Sequence, residues 1–141
     1  MKKVLKWLLL ILWMSIIFIF SNQANSGNIT HNVIEEVFYN IQPSWIIDFL
    51  NFTIRKIAHI TEYLILFFLV ISLLKEYNIT ERKKLLMGII FCFVYAVLDE
   101  YHQSLVPGRT STFKDVLIDM IGVLIGYIIF ISKLKKHKNN F

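Results

Sequence analysis

The chain contains a single cysteine, Cys92, which lies inside an apolar run. One cysteine cannot form an internal disulfide, and it excludes a metal site built from several thiolates. The sequence also lacks the HExxH metal motif, a serine nucleophile elbow and a phosphate-binding P-loop. We therefore expect no metal and no cofactor. The less favoured alternative is a divalent metal held by His59, His102 and neighbouring carboxylates.

Hydrophobic residues, by contrast, are abundant. They make up 56% of the 141 residues, and the mean hydropathy is +0.58. Soluble domains are about 45–50% apolar, so this composition indicates a membrane protein. Lys and Arg outnumber Asp and Glu by 15 to 10, but they flank the apolar runs, where basic residues attract lipid phosphates and set orientation. We expect membrane lipids as partners and no nucleic acid.

Four apolar runs predict an all-α membrane protein, a bundle of four transmembrane helices within one domain over residues 1–141. The predicted spans cover residues 4–20, 57–74, 85–103 and 113–132. The first run also resembles a secretory signal, but its core is long and no small residue stands three positions before a cleavage site. We therefore favour a retained first span.

The basic residues predict the orientation of the bundle. With four spans both termini share a side, and eleven of the fifteen basic residues lie there: Lys2, Lys3, Lys6, Lys75, Arg82, Lys83, Lys84, Lys133, Lys135, Lys136 and Lys138. The positive-inside rule makes that side cytoplasmic. The four others lie on the outer side, close to spans, and are candidates for binding an anion: Arg55, Lys56, Arg109 and Lys114.

The segment between the first two spans has a helical pattern of its own. Apolar residues recur at helical spacing from Ile29 to Ile41, opposite Asn32, Glu35, Glu36 and Asn40. This pattern predicts an extracytoplasmic amphipathic helix that lies on the outer membrane surface or caps the bundle. Pro43 ends that helix, and Ser44 is a candidate N-cap for the next one.

Three of the predicted helices carry polar residues at their outer ends. The second has a stripe of Arg55, Lys56, His59, Glu62 and Tyr63. On the third, one arc holds Tyr95, Asp99, His102 and Gln103, and Glu100 lies to its side. The fourth carries Asp115 and Asp119 on the face of Gly122 and Gly126. These two glycines permit close helix packing, so an oligomer through them is possible.

Ionisable groups at the edge of hydrocarbon cost free energy and need partners or a function. We therefore predict one outward-facing site that gathers the three arcs. Its candidate catalytic residues are His59, Asp99, Glu100 and His102. Its candidate binding residues include Lys56, Glu62, Gln103, Arg109, Asp115 and Asp119. An ion-pair network that only fixes packing is the alternative.

The motifs, in combination and order, resemble those of the VanZ-like family of small bacterial membrane proteins. Phe20-Ser21-Asn22-Gln23 resembles its FSxQ element, and Lys56, His59 and Tyr63 match its K-x-x-H-x-x-x-Y stripe. Asp99-Glu100-x-x-Gln103 with Pro107-Gly108-Arg109 is similar to its DE-x-x-Q…PGR loop. Asp115, Asp119, Gly122 and Gly126 fit its closing D-x-x-x-[ND]-x-x-G-x-x-x-G. Asp119 stands where many members carry Asn.

The resemblance implies a multi-pass protein of the bacterial inner membrane, in a family linked to glycopeptide resistance, above all to teicoplanin. It adds Ser21, Gln23 and Tyr63 to the candidate binding residues, and it implies no known reaction. Our first hypothesis is a module that binds an anionic lipid headgroup, a cell-envelope precursor or a lipoglycopeptide, with Lys56 and Arg109 as anion contacts. The alternative is an intramembrane enzyme that cleaves or transfers a lipid-linked group by His and carboxylate acid-base chemistry. A transporter is a third possibility, although no inverted repeat is detectable.

Overall fold

A computed structural model describes residues 2–22, 33, 36, 45–107 and 112–139. Within these residues the fold is a bundle of four α-helices: α1 (Lys2–Ser21), α2 (Trp45–Leu74), α3 (Glu81–Ser104) and α4 (Phe113–Asn139). All four are long and apolar enough to cross a membrane. The chain is a multi-pass membrane protein with the predicted fold class. The amphipathic helix predicted over residues 29–41 lies almost entirely outside the described residues.

The central helix of the bundle is α2, which packs against α1, α3 and α4. Its 30 residues would extend about 45 Å, more than the roughly 30 Å of a bilayer's hydrocarbon layer. The helix begins twelve residues before the apolar run that starts at Ile57. Lys56 and His59 therefore lie near the middle of this helix, where the apolar run begins, and three further turns extend beyond them.

Small residues let α3 approach α2 closely. Gly88, Cys92 and Ala96 recur every four residues and are all buried. A Cβ atom added at Gly88 would meet the Ile71 Cδ1 atom at 2.9 Å. This small-residue stripe is the packing device expected of membrane helices, where apolar side chains gain little by leaving lipid for protein.

By comparison, α1 is peripheral. Of its span 17% is buried inside the bundle, compared with 33% for each other helix. Leu10, Ile17 and Ser21 mark its buried face, and large side chains such as Leu8 and Leu12 are more than half exposed. Such an apolar surface would be a liability in water and is the expected surface of a helix that faces lipid.

The antiparallel order brings the start of α1 and the end of α4 to the same end of the bundle. Lys6 of α1 donates a 2.5 Å hydrogen bond to Glu76 after α2, and the Lys75 ammonium lies 4.9 Å from the Phe130 ring of α4. We call this the basic end, after Lys3, Lys6, Lys75, Lys83 and Lys133. We call the opposite end the polar end, after Lys56, His59, Asp99, Glu100, Asp115 and Asp119.

Candidate functional site

A histidine and two acids from α2 and α4 form the centre of the polar end. The His59 Nδ1 atom lies 3.3 Å from the Asp119 Oδ1 atom and 3.9 Å from the Glu62 Oε2 atom. Asp119 is 1% exposed, so its carboxyl group is removed from both water and lipid. Asp119 therefore points into the bundle, where it lies beside the His59 imidazole.

The third helix adds a second buried acid to this centre. Asp99 is 5% exposed and its Oδ2 atom accepts a 2.8 Å hydrogen bond from the Gln103 amide, one helical turn later. Asp99 also lies within electrostatic range of His59 and Asp119. Three helices therefore place ionisable side chains around one buried region.

Tyr63 lies beneath these acids and is completely buried. Among the residues that the structure describes, its hydroxyl group has no hydrogen-bond partner. The Tyr63 ring is 6.4 Å from the Tyr95 ring, whose own hydroxyl donates a 2.6 Å hydrogen bond to the Met14 carbonyl of α1. A buried donor without a partner costs free energy, which a water molecule or a bound ligand would recover.

The start of α4 is held by groups from α2 and α3. Lys56 of α2 forms an ion pair with Asp115, in the first turn of α4. Glu100 of α3 accepts a 2.6 Å hydrogen bond from the Thr112 backbone N–H, directly before α4. An anion at a helix N-terminus is stabilised by the free N–H groups and the helix dipole. Glu100, expected at the side of its arc, is therefore buried and caps a neighbouring helix.

Other predicted site residues lie at the margin or outside the described part of the chain. His102 stacks on the Phe18 ring of α1, with centroids 4.4 Å apart, so it lies on the α1 side of the cluster. Ser21 is buried at the end of α1. Gln23 and Arg109 lie outside the described residues.

Five carboxyl groups lie in the described cluster, those of Glu62, Asp99, Glu100, Asp115 and Asp119, together with Lys56, His59 and, at the margin, His102. The described part of the site is therefore rich in hydrogen-bond acceptors. Within that part, no group of three or more His, Cys, Asp or Glu side chains has a geometry that could hold a metal ion.

Two glycines allow α4 to approach α2 and bring Asp119 to His59. A Cβ atom on Gly122 would meet the Ile60 backbone oxygen at 2.1 Å, and one on Gly126 would meet the Phe67 ring at 2.7 Å. Both glycines therefore pack against α2 of the same chain. A single chain does not test the predicted oligomer, but the face proposed for it is occupied within the bundle.

Comparison with known proteins gives one match. The model of the VanZ/LLP1 family matches residues 6–135, which include α2 and α3, most of α1 and α4, and every described residue of the polar end. No curated protein and no solved structure matches the chain. This match agrees with the order of the motifs along the sequence, and the chain belongs to the VanZ/LLP1 family.

Proposed function

We propose that the polar end binds the headgroup of an amphiphilic molecule at the outer membrane surface. The observation that carries the proposal is the burial of Asp119 beside His59, with Asp99 in electrostatic range. Ionisable groups inside a membrane protein cost free energy and mark functional sites by default. The orphaned Tyr63 hydroxyl, which has no partner among the described residues, supports a site that a ligand completes.

The proposed orientation follows from the basic end. Its exposed lysines and Arg82 would lie at the cytoplasmic surface, which positive charges prefer. Both termini are then cytoplasmic and the polar end opens outward. Together with the family assignment, this arrangement supports a location in the bacterial inner membrane.

The chemistry of the site supports a headgroup that combines an anion with hydrogen-bond donors. An ammonium group has three N–H donors, so Lys56 can contact a phosphate or carboxylate in addition to Asp115. Arg109 would provide a second anion contact. Carboxylate oxygens have several lone pairs, so Asp119 beside His59 can also accept from hydroxyl or amino groups of the ligand. A lipid-linked envelope precursor has this combination, and capture of a lipoglycopeptide at the same site would connect the protein to glycopeptide (teicoplanin) resistance.

Native mass spectrometry of the detergent-extracted protein tests the proposal. We expect the wild type to retain an amphiphile that Asp119→Asn and Lys56→Ala lose. Lys133→Gln is the matched control, because it removes an exposed charge at the basic end. A wild type that carries no amphiphile, or polar-end variants that retain it as well as the control does, would contradict the proposal.

One contact favours the enzymatic alternative. The His59 Nδ1 atom lies 3.3 Å from the Asp119 carboxylate, close enough that a small rotation of either side chain would let the acid orient the histidine for general acid-base work. An enzyme of this kind would cleave or transfer a lipid-linked group, with Asp99 or Glu100 as a second acid. His59→Gln should then keep the bound lipid and lose turnover. A purified wild type that leaves every envelope lipid chemically unchanged would remove this alternative.

A further inference from the structure

At the basic end, far from the polar cluster, an apolar cavity of about 360 Å³ opens between α1, α2 and the first half of α3. Its walls are almost wholly apolar and include Trp7, Leu10, Val70, Leu73, Met87 and Phe91. Its volume lies within the roughly 300–1,000 Å³ of small-molecule sites. Trp7 is 43% exposed and Met87 49% exposed, so the cavity opens sideways, toward lipid.

Polar groups are gathered on one side of this cavity, around the short connection between α2 and α3. The Trp7 indole N–H donates to the Tyr77 hydroxyl across 3.4 Å, and the Lys3 ammonium lies 3.9 Å above the Tyr77 ring. Tyr and Trp are enriched at the depth of lipid headgroups. The Trp7–Tyr77 pair therefore marks the headgroup boundary at the mouth of the cavity.

The mouth also has an excess of positive charge. In the described residues of this end, Glu76 is paired with Lys6 and Glu81 with Lys84. Their charges are thereby balanced within each pair, whereas the Lys3 ammonium lies over the Tyr77 ring, and Lys2, Arg82 and Lys83 are exposed at the same end. A phosphate group placed beside Tyr77 would meet the Lys3 ammonium.

We infer that this cavity binds one acyl chain of an anionic phospholipid from the leaflet at the basic end. The apolar walls receive the chain, and the phosphate lies near Lys3. Apolar walls alone do not select a lipid. Apolar walls beside a cationic mouth match the acyl chain and the phosphate of one anionic phospholipid. The site is independent of the ligand proposed for the polar end.

Bromine-quenched fluorescence of Trp7 tests the inference in reconstituted bilayers. The chain has three tryptophans, Trp7, Trp13 and Trp45, so the double variant Trp13→Phe/Trp45→Phe leaves Trp7 as the only indole. Bilayers of phosphatidylcholine receive equal fractions of brominated phosphatidylglycerol or brominated phosphatidylcholine. We expect the anionic lipid to be enriched at Trp7 by about fivefold, the effect of roughly one lysine near a membrane surface.

Two pairs of matched variants distinguish quenching by lipid in the cavity from quenching by lipid around the bundle. Met87→Phe narrows the cavity and should reduce the preferential quenching, while Ile90→Phe, on an exposed α3 position outside it, should not. Lys3→Gln should lower the preference for the anionic lipid, and Lys133→Gln should leave it unchanged. Equal quenching by the two lipids, or equal effects within either pair, would overturn the inference. If Met87→Phe fails to elute as folded protein, Ile79→Phe replaces it, because Ile79 also lines the cavity and the change adds no indole; it should lower the preference in the same way.

Discussion

The two ends of the bundle use charge in opposite ways. At the basic end the cations are mostly exposed, and the ion pair of Lys6 and Glu76 has side chains 26% and 30% exposed. At the polar end Asp99, Glu100 and Asp119 are each 6% exposed or less. Exposed charges at a membrane surface cost little and set orientation, whereas buried ones cost several kcal/mol and need partners. The buried charges of the polar end therefore need partners, within the bundle or from a ligand, that the exposed charges of the basic end do not.

The largest change in stability is expected from substitution of a glycine at a helix contact. Gly122→Ala places a Cβ atom against the Ile60 backbone oxygen, which cannot move without separating α4 from α2. We expect a loss of about 3 kcal/mol or more in the free energy of unfolding. Gly88→Ala at the other end meets the flexible tip of Ile71, and the helix propensity of Ala offsets part of that cost, so we expect less than about 1 kcal/mol.

Thermal unfolding of the two detergent-solubilised variants measures this difference. The midpoint of Gly122→Ala should fall well below that of Gly88→Ala. Equal midpoints would show that the polar end is not closed by backbone contact between α2 and α4.

A smaller effect is expected at the cap that Glu100 provides. Glu100→Gln keeps an acceptor for the Thr112 N–H but removes the charge that the start of α4 favours, at a cost of about 1 kcal/mol. Glu81→Gln is the matched change at the basic end, where Glu81 is 44% exposed in its ion pair with Lys84; about 0.5 kcal/mol is expected. Denaturant titration in mixed micelles compares the two, and a larger loss for Glu81→Gln would reverse the contrast between the ends.

Removal of the Tyr63 hydroxyl should separate binding from stability. Since this buried group has no hydrogen-bond partner among the described residues, Tyr63→Phe should stabilise the empty protein by about 1 kcal/mol. Retention of the amphiphile in native mass spectra should nevertheless decrease. At the basic end, Tyr77→Phe loses the contact with the Trp7 indole and should leave that retention unchanged. If both variants retain the amphiphile as the wild type does, the Tyr63 hydroxyl does not face the ligand.

The smallest effect is expected in the pH dependence of stability that the Lys6–Glu76 ion pair contributes. The hydrogen bond and positive charge of Lys6 hold the pKa of Glu76 below its usual value of 4.5. A carboxyl group with a lowered folded-state pKa stabilises the fold above its unfolded-state pKa, and this stabilisation is lost as the pH falls through the lowered value. The difference in thermal midpoint between wild type and Glu76→Gln should therefore be present at neutral pH and vanish in acid. A difference that persists in acid would show that the contact does not depend on the charge of Glu76.

The sequence predicted the general architecture well because membrane spans are a composition signal. Four apolar runs yielded four helices, and a polar residue one turn inside an apolar run, such as Asp119, had to point inward. The pairing of Asp119 with His59 was not predicted, because helical periodicity and the small residues Gly122 and Gly126 indicate a close helix contact without identifying the partner helix. What the sequence left open was the partner of those glycines, which the structure identifies as α2.

The details that the sequence missed depend on how helices rotate against one another. Periodicity placed Glu100 beside its arc and His102 within it, but the buried group of the two is Glu100, which reaches the start of α4. His102 turns to the Phe18 ring of α1. The early start of α2 was also hidden, since Asp48, Asn51 and Arg55 interrupt the apolar pattern while the backbone remains helical.

The accessibility of engineered cysteines decides which side of the membrane the polar end faces, and an outward-facing site depends on that result. Ser104, an exposed residue at the end of α3, is changed to cysteine in a Cys92→Ala background, with Lys83→Cys at the basic end as the control. A membrane-impermeant thiol reagent added to intact cells should modify the residue at position 104, and that at position 83 only after permeabilisation. Modification of position 83 alone in intact cells would place the buried acids at the cytoplasmic side and contradict an outward-facing site.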